Sequence, residues 1–522
     1  MKITFLHAPA FYDFRKRNAY YGPISDLIPS TPIFDMYPLG IISLASYLEK
    51  MGYKTKVINL AALMLLDKNY DVEARISKIK SDLIAIDLHW LVHAHGSLEI
   101  AKIVKKYHPD IPIVFGGHSS TYFYNELIKY PFVDFILRGD TTEYPFIRLL
   151  DAISGKIGFN EVPNLVWKKT NGELVVNSFS YVPLKVPLIE YEYVVKRVLL
   201  SRKWKEWLPY ASAIDAPITA IFTVKGCSYN CITCGGSNFS YKNFFNRKKL
   251  AIKRPEDIYK EVSLIADYTK VTIFFVGDLR QTGMADEIIN VIKEAKVDNP
   301  LMFEFFEPPS KEFLQKLRKV SDGDIYLQIS PESHDDEIRK KFGRPYSTET
   351  LLKFLRNANE LGFERTDLYF MIGLPKQTVE SAVKTAEFAG NMASEKISTF
   401  IAPLAPFVDP GSMAFENPEK FGYKILYRTL EEHRKAFYHD NWYEFLNYET
   451  NWMNRMGIEI ATINAIKTIA EIKFQKDLIS PETYKYAISA ISNGRNKRTK
   501  VDHLVYEREE LYPTKNILNY LE

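Results

Sequence analysis

A chain of 522 residues with 46% hydrophobic, 25% charged and 14% aromatic residues is too long for one ordinary core, so two or three globular domains are expected and fibrous or disordered classes are excluded. Its formal charge is only +4, and it has no dense Lys/Arg block beyond short runs such as Arg247-Lys248-Lys249, so nucleic-acid binding gets no electrostatic support. No stretch reaches the roughly 18 apolar residues of a membrane span, and the start MKITFLHAPAF lacks the apolar run of a secretory signal. A cytoplasmic protein is expected, with peripheral membrane contact left open.

In chain order, residues 2–9 (KITFLHAP) read as a buried strand, and YPLGIISLASYLEKMG from Tyr37 reads as a helix stopped at Gly52. Strands follow at 54–60, 82–88 and 111–117, separated by a helix running to about residue 80 and another near 96–107. This alternation predicts a doubly wound parallel sheet over residues 1–155, with ligands beyond the strand carboxyl ends. Residues 156–215 carry the hairpin-like LVWKKTNGELVV around Asn171-Gly172 and several prolines, and read as a connector. From Ala216 the alternation resumes in APITAIFTV, VTIFFVG, LMFEFFEP, IYLQIS, TDLYFMIGLP and ISTFIAPLAP, predicting a partial β/α barrel over 216–424. Residues 425–522 read as helical and aromatic-rich.

The stretch GCSYNCITCGGS, residues 226–237, holds every cysteine of the chain: Cys227, Cys231 and Cys234. An odd set at C-x3-C-x2-C spacing makes a poor disulfide framework and a good metal-ligand set in a reducing compartment. Thiolates suit zinc or iron–sulfur clusters. A structural zinc wants four ligands, and the nearest histidines, His118 and His334, are each about a hundred residues away. An electron-transfer cluster wants a fourth cysteine, which the chain lacks. Three ligands on a cubic cluster leave one iron open to a substrate or cofactor. A chance cluster of buried thiols and a structural zinc are the competing readings of the loop alone.

On this loop the chain resembles the radical S-adenosylmethionine (SAM) enzymes, whose C-x3-C-x2-C motif follows the first barrel strand and holds a 4Fe-4S cluster that chelates SAM. The resemblance runs through most of residues 216–412. It implies that SAM is cleaved by one electron to methionine and a 5′-deoxyadenosyl radical, with the electron coming from an external donor of ferredoxin or flavodoxin type. Gly277-Asp278 stands at the place of the family's GGE-type motif, which receives the methionine ammonium, with Asp278 offering a shorter arm than Glu. Glu332 and Ser333 stand where the family contacts the SAM ribose or carboxylate, and Arg344 is suited to pair bidentately with that carboxylate. Gly373 and Pro375, in GLP, match the adenine-side segment; Thr233 replaces the aromatic residue often found before the third cysteine. Read singly, each of these residues is as readily a helix cap or a solvated charge.

Residues 1–155 resemble the Rossmann-like cobalamin-binding domains fused in front of many such enzymes, on PLG at the first helix, Gly116-Gly117 after the fourth strand and RGDTTE from Arg138. The resemblance implies that the glycine pair lets backbone approach the cofactor's nucleotide tail; a tight turn is the alternative. Asp87-Leu88-His89 begins a D-x-H-x-x-G cobalt-ligand motif, but Val92 stands in the glycine's place. His89, His93 and His95 crowd a strand end facing the cofactor, and the expectation is cobalamin bound with no protein histidine on cobalt.

The fold class expected is therefore α/β: a doubly wound Rossmann-like cobalamin domain, a partial (β/α)6 radical SAM barrel and a helical C-terminal region. The implied activity is functionalisation of an unactivated carbon, by methyl transfer or by ring formation, on a small-molecule or lipid substrate. The Lys/Ile/Tyr-rich style resembles archaeal members, among whose relatives are enzymes that build rings into tetraether lipids. A non-catalytic iron–sulfur or cobalamin-binding redox sensor is the reading from another class. The lack of other cysteines excludes all-cysteine auxiliary clusters and disfavours a methyl-carrying thiol of the RNA-modifying kind. Residues 405–423 and 442–455, rich in aromatics and methionine, are candidates to line an apolar substrate cavity or to form core.

Overall fold

The computed structural model describes residues 1–16, 35–200, 203–213, 217–403 and 407–493. The strand-six run at 404–406 and the helical expectation for 494–522 lie outside the described residues. The first sheet contains β1 (Lys2–His7), β2 (Lys54–Asn59), β3 (Leu83–Asp87), β4 (Ile113–Gly116), β5 (Phe135–Leu137), β6 (Leu165–Lys168) and β7 (Leu174–Val176), in the order β2-β1-β3-β4-β5-β6-β7. The first five are parallel. Their apolar runs are buried on both faces, as helix-covered parallel strands require; Leu83, Ile84, Ile113 and Phe115 have no exposed surface, each such side chain contributing about 1.5–3 kcal/mol by burial.

The expected elements of this domain are present, with two differences. The helix expected to run to about residue 80 is two helices, Leu60–Leu66 and Val72–Ser77, each begun by a side-chain cap, Asn59 on Ala62 N and Asp71 on Ala74 N. The second cap requires extended backbone at Asp71, which divides the run. The hairpin around Asn171-Gly172 is not connector: β6 pairs antiparallel with β5 and β7 with β6, extending the first sheet. Its partner β5 lies outside the hairpin's own sequence, and local turn chemistry says nothing of such a pairing.

The second unit is a parallel sheet of six strands in sequential order: β8 (Ile218–Phe222), then, after a short antiparallel pair β9 (Val224–Lys225) and β10 (Ala251–Ile252), β11 (Thr272–Val276), β12 (Leu301–Phe305), β13 (Ile325–Glu332), β14 (Arg365–Ile372) and β15 (Ile397–Pro403). These are the six barrel strands expected. A helix at Arg455–Gln475 packs across the helix Val379–Met392, and Lys476 Nζ closes the end of the latter by donating to the carbonyls of Gly390, Asn391 and Ala393. No helix among the described residues is long and apolar enough to cross a membrane.

The C-terminal region also holds the antiparallel pair β16 (Tyr423–Ile425) and β17 (Tyr448–Thr450), and it docks onto the first domain. Tyr130 Oη donates to Glu431 (2.7 Å), Tyr122 Oη to Glu416 (2.6 Å), and Arg434 to Glu99 (3.2 Å). At the centre of this contact His433 is wholly buried among Phe123, Phe407 and Phe415. Phe407, Phe415, Trp442, Phe445 and Tyr448 are buried core here.

The Asn447 amide accepts from Val408 N through Oδ1, which turns its NH2 toward His433 Nε2 at 3.1 Å, while His433 Nδ1 donates to Thr429 O at 2.7 Å. A second ring proton would face that NH2, and burial holds the imidazole down to about 4. Because the folded value lies below the unfolded one, the stabilisation is complete above about pH 6.5 and is lost as pH falls toward 4. Unfolding free energy is expected to drop by about 3 kcal/mol from this group over that interval. Urea unfolding of the wild type and of His433→Phe at pH 7 and pH 4.5 checks it: the variant should show the shallower pH dependence.

Candidate functional site

The carboxyl ends of both parallel sheets open onto one cavity of about 400 Å³. From the first domain its wall takes Asp87 and His89 after β3, Gly116 to His118 after β4, and Gly139, Asp140 and Thr142 after β5. From the barrel it takes Lys225 to Cys227, Tyr229, Cys231, Cys234, Ser237 and Tyr241 after β8, Gly277 and Gln281 after β11, Glu304 and Phe306 at β12, and Arg344. An apolar arm runs between the first sheet and the helix Leu39–Lys50, past Phe5, Ile41, Leu44, Ala85, Val114 and Phe146.

The three cysteines thus share one wall, and the loop carrying them is held from two sides. On one side, Ile232 N donates to Phe342 O, and Gly343, at φ +120°, packs so tightly that a Cβ would come within 2.9 Å of Asn230 O. On the other, Asp409 N donates to Thr233 O, Asp409 Oδ2 accepts from Gly235 N at 2.9 Å, and Ala414 N donates to Ile232 O. Asp409 Oδ1 also accepts from Trp90 Nε1 of the first domain at 3.4 Å. Two sulfurs already receive backbone N–H groups, Cys227 from Tyr229 (3.4 Å) and Cys234 from Gly236 (3.3 Å). Burial pushes the Cys231 thiol up to about 11 and raises the other two, so binding of a cationic metal group releases protons. Three converging soft donors fit a cluster with one open position, and the apolar arm fits the buried tail of a large cofactor.

Arg344 lies over Phe306 (4.9 Å to the ring centre) and is bonded only loosely by protein: to Glu332 Oε1 at 3.3 Å through two nitrogens and to Phe306 O at 3.5 Å. Its donors remain able to serve an anionic ligand. Glu332 sits behind it, buried, at φ +67° where the β13–β14 register shifts. Its Oε2 has no hydrogen-bond partner among the described residues, and burial, opposed by Arg344, lifts its pKa to about 7.

Other sequence-identified residues are placed differently. Gly277 lines the cavity, but the Asp278 carboxylate is buried and taken up by Arg280 (2.8 Å through Nε) and by backbone N–H groups. The barrel acid on the wall is instead Glu304, whose Oε2 accepts from Gly277 N at 2.9 Å and whose pKa is raised by burial. Ser333 is buried, its Oγ accepting from Asp335 N, and is not on the wall. Gly373 and Pro375 are not on it either: Gly373 N donates to Gln377, its carbonyl accepts from Tyr423 Oη, and its φ of +96° turns it so that a Cβ would meet Tyr448 Oη at 2.4 Å. Nor does the wall include any of the described residues of 405–423 or 442–455.

The glycine pair splits in role. Both glycines line the cavity; a Cβ on Gly116 would meet only Leu137 O at an ordinary 3.9 Å, whereas a Cβ on Gly117 (φ +116°) would strike the His89 backbone at 2.4 Å. Gly117 therefore answers to the tight turn. Sequence reasoning also missed His118, on the wall against Phe245 and held down to about pKa 4 by burial, and the clamp that joins the two sheet ends. In that clamp Asp140 receives Arg247 through two bonds, 2.6 and 2.7 Å, and its carbonyl receives Lys225 Nζ at 2.7 Å; the Asp140 and Arg247 side chains are 7% and 1% exposed.

Arg247→Met leaves Asp140 as an uncompensated buried charge and is expected to cost about 3–5 kcal/mol. Asp140→Asn in the same chain should recover part of that loss. Denaturant midpoints of the three variants read it directly.

Known proteins agree with this geometry. Residues 221–389 match the Radical SAM superfamily and residues 28–145 the B12 binding domain. The chain is 19% identical over 471 residues to cytidylyl-2-hydroxyethylphosphonate methyltransferase of Streptomyces wedmorensis, covering 78% of this chain and 85% of that one. It is 22% identical over 386 residues to the anaerobic magnesium-protoporphyrin IX monomethyl ester cyclase of Rubrivivax gelatinosus, covering 71% and 65%. In fold it is similar to the radical SAM methyltransferase TsrM of Kitasatospora setae with cobalamin and [4Fe-4S] cluster bound, at TM-score 0.61, 15% identity and 99% coverage of both chains. It is likewise similar to the cobalamin-dependent SAM radical enzyme OxsB with aqua-cobalamin and SAM bound, at TM-score 0.60, 13% identity and coverage of 99% and 76%.

Proposed function

The chain being a radical SAM enzyme with an N-terminal B12-binding domain, whose cofactors are a 4Fe-4S cluster, SAM and cobalamin, we propose that it transfers a methyl group to an unactivated carbon of a small organic or lipid substrate. The observation carrying this reading is the single cavity walled jointly by the three cysteines and by the strand ends of the first domain. When bound, the cluster and SAM supply a carbon-centred radical able to take hydrogen from an unactivated C–H bond, and cobalamin supplies the methyl group.

The chain's own residues prepare the space for that chemistry. Cys227, Cys231 and Cys234 would hold the cluster as its three protein ligands. Arg344, with donors to spare, takes the methionine carboxylate bidentately. Glu304 and the Gly277 carbonyl would accept from the ammonium, the role expected of Asp278. Phe306, Tyr229 and Phe222 wall the cavity with apolar surface, which keeps water from a reactive radical. The Asp140–Arg247–Lys225 clamp fixes the distance between the two domains' loops, as positioning of reactants demands. The electron comes from an external one-electron donor.

Ring formation is the second reading, favoured by the similarity to a cyclase. Protein reconstituted anaerobically with iron, sulfide and hydroxocobalamin, then given SAM with a deuterated methyl group, a strong reductant and a lipid extract, separates the two. We expect 5′-deoxyadenosine together with a product three deuterons heavier in its new methyl group. An unlabelled product lacking two hydrogens would replace methyl transfer by ring formation or desaturation, and absence of 5′-deoxyadenosine would sink both.

A further inference from the structure

His89 stands at the carboxyl end of β3 on the cavity wall, with its side chain 26% exposed. Its Nδ1 lies 2.6 Å from Asp87 Oδ2, and the other oxygen of that buried carboxylate lies 3.0 Å from Nδ1 of the wholly buried His7. A carboxylate only accepts, so Nδ1 of His89 carries a proton, and in the neutral ring the lone pair is on Nε2. Nε2 has no hydrogen-bond partner among the described residues.

The ring is fixed from behind as well. His93 is buried with its Nδ1 on Ala8 O at 3.0 Å, and its ring centre lies 4.8 Å from those of both His7 and His89. The backbone of His89 is wedged against Gly117, where no Cβ fits. The neighbouring histidines are otherwise engaged: His95 accepts from Tyr12 N through Nδ1 and pairs with Tyr438 Oη through Nε2.

An imidazole with one nitrogen on a buried carboxylate and the other open toward a cavity is the arrangement of a metal-bound histidine and its supporting shell. We infer that His89 ligates the cobalt of bound cobalamin through Nε2, with Asp87 and His7 as positioning residues behind it. This rests on the cobalamin reading above and departs from the expectation that no protein histidine meets cobalt. The ligand comes from the third strand, and the D-x-H spacing serves it without the motif's glycine: Asp87 precedes His89 by two residues and turns back to hold its ring.

Electron paramagnetic resonance tests it without reference to turnover. Full-length protein with its cluster oxidised and EPR-silent is loaded with cob(II)alamin and frozen. The high-field cobalt lines should each split into three from one axial ¹⁴N, and into two when only the protein's histidines carry ¹⁵N. His89→Gln should bind cob(II)alamin about 10–100-fold more weakly and show unsplit lines; Asp87→Asn should keep the splitting with affinity reduced over the same range. The labelling arm needs no substitution and so does not depend on a variant's folding. Three lines persisting in the ¹⁵N-histidine protein would assign the nitrogen to cobalamin's own base and overturn the inference, as would unsplit lines in the wild type.

The ligand atoms of His7, Asp87 and His89 lie within 4.8 Å of one another. A stoichiometric divalent cation in the purified protein, lost in His7→Ala, would give these residues to another metal and equally overturn it. Protein that takes up no cobalamin at all would overturn the proposed function itself, an outcome distinct from cobalamin bound without histidine.

Discussion

Two parallel sheets share a site at their carboxyl ends only if those ends face one another, and the buried ion pair of Asp140 with Arg247, with Lys225 on the Asp140 carbonyl, joins them here. Asp140 follows the last parallel strand of the first sheet, and both cations belong to the segment around the cysteine loop. Burial of an ion pair is a poor source of net stability but a strong source of registry, because any other alignment leaves a charge unpaired away from water. The contacts of the C-terminal region repeat the function at lower stakes: Glu431, Glu416 and Arg434 tie it to the first domain, with His433 at their centre. Trp90 reaching Asp409, which also holds Gly235, links a loop of the first domain to the backbone beside Cys234.

Within that frame the polar groups of the cavity divide by how fully the protein satisfies them. Asp278, Ser333 and Gly373, off the wall, have their polar groups engaged by neighbouring protein. Arg344, with long bonds, and Glu332, with one oxygen unpartnered, are under-satisfied, as are His89 at Nε2 and Gln281 at its amide nitrogen. A buried polar group left short of partners costs stability, and functional sites are where such a cost is retained. These four lie at or just behind the wall where both domains meet.

Much of this was legible in the sequence for physical reasons. Parallel strands covered by helices on both faces must be continuous apolar runs, so IPIVF and VTIFFV announce themselves. Three cysteines in eight positions with none elsewhere state a ligand set and its incompleteness together. What the sequence hid depends on direction and distance. Asp278 and Glu304 are both acids at strand ends, but only the inward alternation of LMFEF, in which Met302 and Glu304 are the less buried positions facing the barrel interior, tells which one meets the cavity. Phe407, Phe415, Trp442, Phe445 and Tyr448 of the aromatic segments are buried core, Phe407 and Phe415 against His433, and composition does not separate a wall from a core. The Asp140–Arg247 pair spans 107 positions, and no local pattern marks it. The glycine pair was visible, but its division of labour follows from His89 lying against Gly117 across two strands.

If one cavity holds both the cluster and cobalamin, their spins must interact. The direct measurement is pulsed EPR on protein holding both the reduced, paramagnetic cluster and cob(II)alamin, read against protein holding either alone. The two spins are expected to be strongly coupled, with the cluster greatly shortening the relaxation time of cob(II)alamin. Spectra and relaxation equal to the sum of the singly loaded proteins would mean that the two sites are separate, and would contradict it.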